Sequence, residues 1–518
     1  MKQQRKQLES AVVNAEQMAR IEGRVFAAQM PVAALMEKAA YLSATRIQQL
    51  YSQDRFPSVG IIVGPGHNGG DALVIARELH LAGYRVSIYF PTEKVKELTD
   101  RHARYAKSLG IPFFQEIDPL EKCDFIIDGL FGLGQTRSLA GKLAAAIDKL
   151  NLWHKPTVSI DLPSGINTDT GVVLGTAVKA THTLCLGLWK LAFFQDAALE
   201  YIGKAERIDI GIPPTDVWSI ASQPPSVRKI TPDLVKKYLP LPRPKLTHKY
   251  QQGHLLIVCG SRRYAGGTIL TGLGARYSGV GMLSIAVPES LKPLLVTHLP
   301  EALIIECPEN RSGAIAGLPP LAGDFSKYDV VAIGPGLTTE VRSVVEKVLQ
   351  AECPIVLDAD ALNILAELGT RDLLSPRAYP TVLTPHLGEF KRLFPNLENY
   401  IGDRIGSAKL AAKESGAIVL LKGARTAIAD PEGSVWLLGE STPALARGGS
   451  GDVLTGLIGG LIAQNLNNNI PTANTVAAAA WWHASAGILA AKERTELGVD
   501  AFTLCDRLIP ALKNILSE

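Results

Sequence analysis

The chain of 518 residues is 47% hydrophobic and 20% charged, with 53 Lys and Arg against 50 Asp and Glu for a formal net charge of +3. Charges so balanced, with no long run of one sign, exclude an extended basic face and point to small-molecule partners, with no nucleic acid and no membrane. Length and apolar content suit a soluble globular protein of about two to four domains.

Met1–Ser10 is basic and rich in Gln, and no apolar stretch follows it, so no secretory signal is expected. The cysteines Cys123, Cys185, Cys259, Cys307, Cys353 and Cys505 show no CxxC spacing and mostly lie in apolar runs, which reads as reduced core thiols in the cytoplasm. Leu184–Phe194, interrupted by Lys190, and Val476–Ala491, carrying His483 and Ser485, are shorter than the roughly 20 residues needed to cross a bilayer and read as buried core elements.

Residues 11–50 carry Val12, Met18, Ile21, Val25, Leu35, Met36 and Leu42 at near-helical spacing, with Pro31 dividing two helices. A βαβ unit follows: strand Val59–Val63, loop Gly64–Asp71, helix Ala72–Leu81 and strand Arg85–Phe90. Its glycines stand at the strand's carboxyl end, where open α/β sheets bind ligands, and their spacing is not the GxGxxG of an ordinary dinucleotide dehydrogenase. Two more strands end in acids: Phe125–Asp128 ahead of Gly129–Gly134, and Thr157–Asp161 ahead of Leu162–Gly165. In a parallel sheet these ends share one edge, so Asn68, Asp71, Asp128, Asp161 and Ser164 are expected to converge. Their oxygens suit a hard cation and the glycine loops a phosphate. Taken singly, each acid reads more simply as a cap or turn former; three such loops in register favour a site.

The runs Gly64-Pro-Gly-His67-Asn68-Gly69-Gly70-Asp71, Asp128-Gly-Leu-Phe-Gly132-Leu133-Gly134 with Arg137, and Asp161-Leu-Pro-Ser164-Gly165 resemble the motifs of NAD(P)H-hydrate epimerases. That family interconverts the R and S forms of hydrated nicotinamide cofactors, and the resemblance covers about the first 210 residues. It implies a potassium ion held by Asn68, Asp128 and Ser164. It also implies phosphate and sugar contacts from His67, Asn68, Gly69, Gly70 and Asp71 and from Gly132, Leu133, Gly134, Gln135, Thr136, Arg137 and Ser138, with Asp161 at the substrate as a catalytic residue. His67, Ala72 and Leu133 stand where the family usually has Asn, Gly and Thr.

Beyond a last strand at Glu206–Ile210 come Pro213, Pro214, Pro224, Pro225, Pro232, Pro240, Pro242 and Pro244, a segment expected to build no core element. The domain boundary is therefore expected near residues 212–230, and is drawn between 220 and 221. Leu255–Cys259, Met282–Val287, Ala302–Cys307, Val330–Ile333, Ile355–Leu357, Thr381–Leu383 and Ile418–Leu421 are continuous apolar runs, as expected of strands buried on both faces in a second layered α/β domain. They lead into Gly334-Pro335-Gly336, Asp358-Ala359-Asp360, Thr384-Pro385-His386-Leu387-Gly388-Glu389 and Lys422-Gly423-Ala424-Arg425-Thr426. The last of these offers a cation, a glycine and a hydroxyl for a nucleotide's phosphates.

Ala446–Gly456 places three glycines and a serine ahead of Asp452, at the entry to an apolar helix. The unpaired first amides of a helix attract an anion, and glycine lets the backbone close on it. From this stretch alone Asp452 reads equally as a base or as the helix cap. His386 by itself reads as a loop histidine, and His483 as structural.

His248-Lys249, Leu357-Asp-Ala-Asp360-Ala-Leu-Asn363, Leu383-Thr-Pro-His386-Leu-Gly-Glu389, Lys422-Gly423 and Gly449-Ser450-Gly451-Asp452 together resemble the ADP-dependent NAD(P)H-hydrate dehydratases, of the ribokinase-like group. Ser450, Leu387 and Gly267 replace the usual Thr, Pro and Ala. The resemblance implies phosphorylation of the C6 hydroxyl of the S-hydrate and departure of phosphate, with Asp452 as base. The amides of Gly449, Ser450 and Gly451 would stand at the transferring phosphoryl group. Gly267, Gly336, His386 and Asp452 would face the hydrate, and Lys422, Gly423, Ala424, Arg425, Thr426 and Gly451 the adenylate; Mg2+ is expected without assigned ligands.

The expected protein is thus α/β, a Rossmann-like three-layer epimerase-like domain (1–220) followed by a ribokinase-like dehydratase domain (221–518). It would be a homo-oligomer that uses NADHX, NADPHX and ADP. The rival reading is a ribokinase-like kinase of a vitamin precursor, which shares a glycine-rich GxGD loop, with an amino-terminal domain that binds a nucleotide or partner without turnover.

Overall fold

In the computed structural model, which describes residues 2–92 and 94–517, the apolar runs of the first half pair as one sheet. Its strands lie in the order Phe113–Phe114, Arg85–Tyr89, Ser58–Val63, Phe125–Gly129, Thr157–Ile160, His182–Leu186 and Lys204–Ile208, parallel at every junction. Alternation of side chains feeds two cores. Ile61, Phe125 and Ile127 pack with the helices Ala15–Ala27, Val32–Leu50 and His67–Leu81, whereas Ile62 and Ile126 pack with Gly141–Leu152. Three layers result. Chain order reverses between Ser58–Val63 and Phe125–Gly129, and such a reversal opens a ligand crevice at the carboxyl ends of the strands.

The helix expected from Ala72 begins at His67, so Asn68, Gly69, Gly70 and Asp71 form its first turns instead of a loop. The glycines serve close packing: a Cβ on Gly69 would lie 1.9 Å from the Gly64 carbonyl oxygen, and one on Gly70 2.7 Å from the Met36 methyl. Proline also misleads after Ile210. Pro214 and Pro232 occupy the first turns of helices Pro214–Ala221 and Pro232–Tyr238, where their missing N–H has no helical partner to lose. Both helices bury side chains: Val217 and Ala221 in the first, Val235 and Tyr238 in the second.

The chain divides into two units, Met1–Val227 and Arg228–Glu518. The division falls beyond residue 220 because Pro214–Ala221 belongs to the first unit, where Val217 joins its core and Asp216 pairs with Arg24 at 3.1 Å.

The second unit's sheet has ten strands: Val227–Lys229, Val435–Leu437, Ala427–Ala429, Ile418–Leu421, Thr381–Leu383, Ile355–Leu357, Val330–Ile333, His254–Val258, Met282–Pro288 and Leu303–Cys307. Pairing is parallel from Ile418–Leu421 through Leu303–Cys307 and antiparallel among Ile418–Leu421, Ala427–Ala429 and Val435–Leu437. Order reverses between Val330–Ile333 and His254–Val258, where the Gly260 amide donates to the Pro335 carbonyl at 2.9 Å.

Helices Ala265–Ser278 and Ser450–Asn465 cross in backbone contact: a Cβ on Gly274 would lie 2.1 Å from the Val453 carbonyl oxygen, and one on Gly456 1.9 Å from that of Thr271. All six cysteines are free and buried. Among the described residues no helix is long and apolar enough to cross a membrane.

Candidate active sites

In the first unit, Asp161 follows strand Thr157–Ile160 with φ +67, a left-handed backbone that costs a non-glycine residue about 1–3 kcal/mol and that Asp tolerates better than most. The turn buries its carboxylate. Oδ1 accepts the Leu186 amide at 3.2 Å and pairs with the Lys190 ammonium, which is 1% exposed and also donates to the Leu186 carbonyl at 2.6 Å. Burial pulls the Lys190 pKa down, but Asp161 and its other neighbours outweigh this and raise it.

Oδ2 of Asp161 faces Gly132: a Cβ there would lie 3.3 Å from it and 3.2 Å from Asn68 Oδ1. These groups share a cavity of about 360 Å³ with Glu22, His67, Asp71 and the loop Gly132–Gln135. Burial, followed by the charges of Asp161 and Glu22, holds the Asp71 carboxyl well above the usual range. Gly69 and Gly70 pack behind the cavity, and Thr136, Arg137 and Ser138 are exposed outside its lining. The cavity therefore gathers only part of the two predicted loops.

Asp128 is fully buried and accepts four hydrogen bonds, from Ser164 Oγ (2.6 Å) and Leu130 N (3.2 Å) on Oδ1 and from Ser159 Oγ (2.8 Å) and Ser164 N (2.9 Å) on Oδ2. Burial raises its pKa against those bonds. The Asn68 backbone carbonyl oxygen lies 3.3 Å from where a Gly129 Cβ would stand, and the buried Nδ2 of its side chain has no partner among the described residues. A buried amide left unmatched calls for an occupant. Turned over, the same side chain presents an oxygen.

In the second unit, strand Ile355–Leu357 ends at Asp358, and Ala359 turns the chain at φ +48. The buried Asp358 carboxylate accepts Lys422 Nζ (2.8 Å), Thr384 Oγ1 (2.8 Å) and Thr455 Oγ1 (2.7 Å). Burial alone would raise its pKa, but Lys422 and the two hydroxyls outweigh it and hold the carboxyl below its usual value.

Gly449, at φ +91, caps helix Ser450–Asn465, so Asp452 is the helix's third residue and caps nothing. Its carboxylate has no hydrogen-bond partner among the described residues and faces Gly267, where a Cβ would lie 3.2 Å from Oδ2. Burial, then the Asp358 charge, pushes the Asp452 pKa up to about 6 against the pull of Lys422. A Cβ on Gly451 would stand 3.5 Å from Lys422 Nζ, so that glycine leaves the ammonium open towards the helix start.

The Ser450 amide donates back to Arg447 O at 3.3 Å, which removes it from the expected phosphate contacts; the amides of Gly451 and Asp452 have no acceptor among the described residues. His483 is buried with Nε2 2.9 Å from the Ser450 carbonyl oxygen, and burial lowers its pKa to about 4, so it holds the helix start as a neutral donor.

Gly336 (φ +69) packs under Tyr264, and its carbonyl accepts Ser261 Oγ at 2.7 Å. His386 caps helix Leu387–Leu393, Nδ1 accepting the amides of Gly388 (2.9 Å) and Glu389 (3.3 Å), while the ring stays exposed. Gly423 lies against Arg404, Ala424 is exposed, Arg425 is half-buried, and the Thr426 hydroxyl donates to Gly423 O at 3.2 Å.

Sequence reasoning left out Glu22, Lys190, Asp358 and Thr455 as site residues. The signal for Lys190 was present as the charge breaking the apolar run Leu184–Phe194.

Both units thus present an acid, a lysine ammonium paired to a buried carboxylate and glycine-lined backbone at the carboxyl edge of a largely parallel sheet, the arrangement of a two-domain α/β enzyme. Two family models match the chain, one described as YjeF-related protein N-terminus over residues 32–192 and one as NAD(P)H-hydrate dehydratase over residues 255–510. The chain is 54% identical over 506 residues to the bifunctional NAD(P)H-hydrate repair enzyme Nnr of Synechocystis sp., covering 98% of this chain and 95% of that protein. It is 48% identical to the protein of the same name from Thermosynechococcus vestitus, covering 98% of each. Among solved structures, an ADP/ATP-dependent NAD(P)H-hydrate dehydratase from Bacillus subtilis is 33% identical with a TM-score of 0.46, covering 55% of this chain and 97% of that one. The chain belongs to the bifunctional NAD(P)H-hydrate repair enzymes.

Proposed function

We propose that the first unit epimerises the R- and S-hydrates of NADH and NADPH, and that the second dehydrates the S-hydrate with ADP as phosphoryl donor. The observation that carries the second assignment is the Asp452 carboxylate, unpaired, facing Gly267 and set beside Lys422 at a helix start. Asp452 takes the proton from the C6 hydroxyl, whose oxygen attacks the terminal phosphorus of ADP as AMP leaves. The amides of Gly451 and Asp452 and the Lys422 ammonium face the transferring oxygens. The C6–O bond then breaks with the push of the ring nitrogen, phosphate departs, and loss of a C5 proton restores the reduced ring.

No cluster of three or more His, Cys, Asp or Glu side chains among the described residues could form a metal cage. Mg2+ would accordingly arrive on the phosphates of ADP, its usual manner of binding. On this reading Asn68, Asp128 and Ser164 would hold potassium, a reading supported by the unmatched Asn68 amide, which turned over presents an oxygen beside the oxygens of the other two; the ion would fix the phosphate-side loops next to Asp161. Six buried free thiols suit the cytoplasm.

The test is recovery of reduced-nicotinamide absorbance from mixed hydrates with ADP, Mg2+ and K+. Asp452→Asn is expected to slow recovery by at least about 100-fold. A phosphorylated alcohol accumulating without that absorbance would return the second unit to a vitamin-type kinase. Recovery stalling once the S-form is consumed would remove the epimerase assignment.

A further inference from the structure

Three carboxylates, Glu22, Asp71 and Asp161, line the first unit's cavity, with the Lys190 ammonium paired to Asp161, and only Asp161 has been given a catalytic part. Inverting C6 requires its hydroxyl to leave from one face of the ring and water to add to the other. A carboxylate fixed on one wall serves one face.

Glu22 occupies a different wall. It projects from helix Ala15–Ala27, which is held by a capping box between Asn14 and Gln17 and by Asp169 accepting the Ala15 amide at 2.7 Å. Met18, Ile21 and Val25 bury the helix's apolar face in the core, which leaves Glu22, half-buried, at the margin of that face and lining the cavity. Asp161 comes from the sheet edge. A ring admitted to the cavity meets one carboxyl group from the helix and one from the sheet edge.

We propose that Glu22 is the second catalytic residue of epimerisation, paired with Asp161 across C6 of the hydrated nicotinamide ring. This rests on the epimerase reading of the cavity. A protonated carboxyl on one face gives its proton to the C6 hydroxyl. The C6–O bond breaks, its electron pair leaving with oxygen as water, while the ring-nitrogen lone pair forms the N=C6 bond of a cation. Water adds to the opposite face, the N=C6 pair returns to nitrogen, and the carboxylate on that face takes the released proton. Nothing is oxidised or reduced, and the two acids exchange roles for the reverse conversion.

The surroundings support the division of labour. Asp161, Asp71 and Lys190 lie within electrostatic reach of Glu22, and His67 and Lys96 also line the cavity, but Lys190 is bonded to Asp161. Burial and then Asp161 push the Glu22 pKa to about 7 against Lys190, so it holds or yields a proton near neutrality, as such a role needs. Burial, then Asp161 and Glu22, raise the Asp71 pKa well above the usual carboxylate range.

The experiment starts the full-length enzyme on one resolved hydrate without ADP, which silences dehydration, and follows the approach to the R/S equilibrium by chromatography across pH. Glu22→Gln should slow epimerisation by about 100-fold and erase the limb of the pH profile near 7. Glu22→Asp should restore part of the rate with the limb displaced. A Glu22→Gln enzyme within about threefold of wild type, with its profile unchanged, overturns the proposal. If Glu22→Gln fails to fold, Glu22→Asp decides: a displaced limb supports the role and an unmoved one overturns it. A wild-type enzyme that does not accelerate epimerisation at all removes the epimerase reading itself, a distinguishable result.

Discussion

Asp161 and Asp452 stand at the carboxyl edges of two sheets, and their charges are managed in opposite ways. Asp161 has a dedicated cation, with Lys190 buried against it and the backbone held at φ +67 to bring the two together. Asp452 has no cation of its own. The nearby ammonium of Lys422 is already bonded to Asp358 at 2.8 Å, and Asp358 adds a second negative charge. The first carboxylate has an ion-pair partner; the second has none among the described residues, and its pKa is pushed up to about 6. The two sites thus differ in whether a lysine is bonded to the acid itself or to a neighbouring carboxylate.

The largest break in that comparison should come from Lys190→Met. Removing the ammonium leaves Asp161 buried without its partner, a loss of about 3–5 kcal/mol. It should appear as an earlier unfolding transition in urea, with the amide and carbonyl of Leu186 unable to compensate for the missing charge. An unchanged transition would mean that the pair is solvated in solution.

Asp452→Asn should do the reverse and stabilise the enzyme it inactivates. The folded-state pKa is raised, so the stability owed to protonation is complete below the unfolded carboxyl value and is lost as pH rises through about 6. Above that pH the buried charge is a burden, and the amide should gain about 1–3 kcal/mol at neutrality while gaining nothing at about pH 4. Thermal melting of both proteins against pH reads the difference, and a pH-independent gain would refute the assignment.

The smallest effect sharpens the geometry. Gly267→Ala places a methyl 3.2 Å from Asp452 Oδ2, tight enough to shift the carboxylate by a few tenths of an ångström. The dehydration rate should change by less than about threefold, the cost of a slight adjustment beside a half-buried side chain. A loss comparable to that of Asp452→Asn would show that the carboxylate has no freedom to yield.

Much of this arrangement was legible in the sequence because parallel strands buried on both faces read as uninterrupted apolar runs, and the residues just after them are the ones a sheet edge presents. Asp161 and Lys422 fall there, as does Asp358, whose part in the site was not read; the Gly449–Asp452 turn was legible instead from glycines ahead of an apolar helix. Glu22 carries neither signal. It is a polar residue on an amphipathic helix, indistinguishable in sequence from those facing water, and only the neighbouring wall makes it a cavity residue. The pairing of Lys190 with Asp161 was hidden for a similar reason, since a charge in an apolar run shows that a partner exists but not which. Gly69 and Gly70 misled because close packing and loop flexibility select the same residue. Strands Ala427–Ala429 and Val435–Leu437 are too short to carry a pattern.

The glycine seam between helices Ala265–Ser278 and Ser450–Asn465 gives the second site a mechanical property. Where side chains interdigitate, a changed contact can be absorbed by a rotamer; where backbone lies on backbone, as at Gly274 and Gly456, nothing compliant stands between the helices. One helix carries Gly267 and the other Asp452, so a methyl added a turn or two down the seam would be transmitted as a rigid offset across the reacting carboxylate. The tolerance to which that carboxylate is placed is set by hydrogen atoms on residues that never meet a substrate.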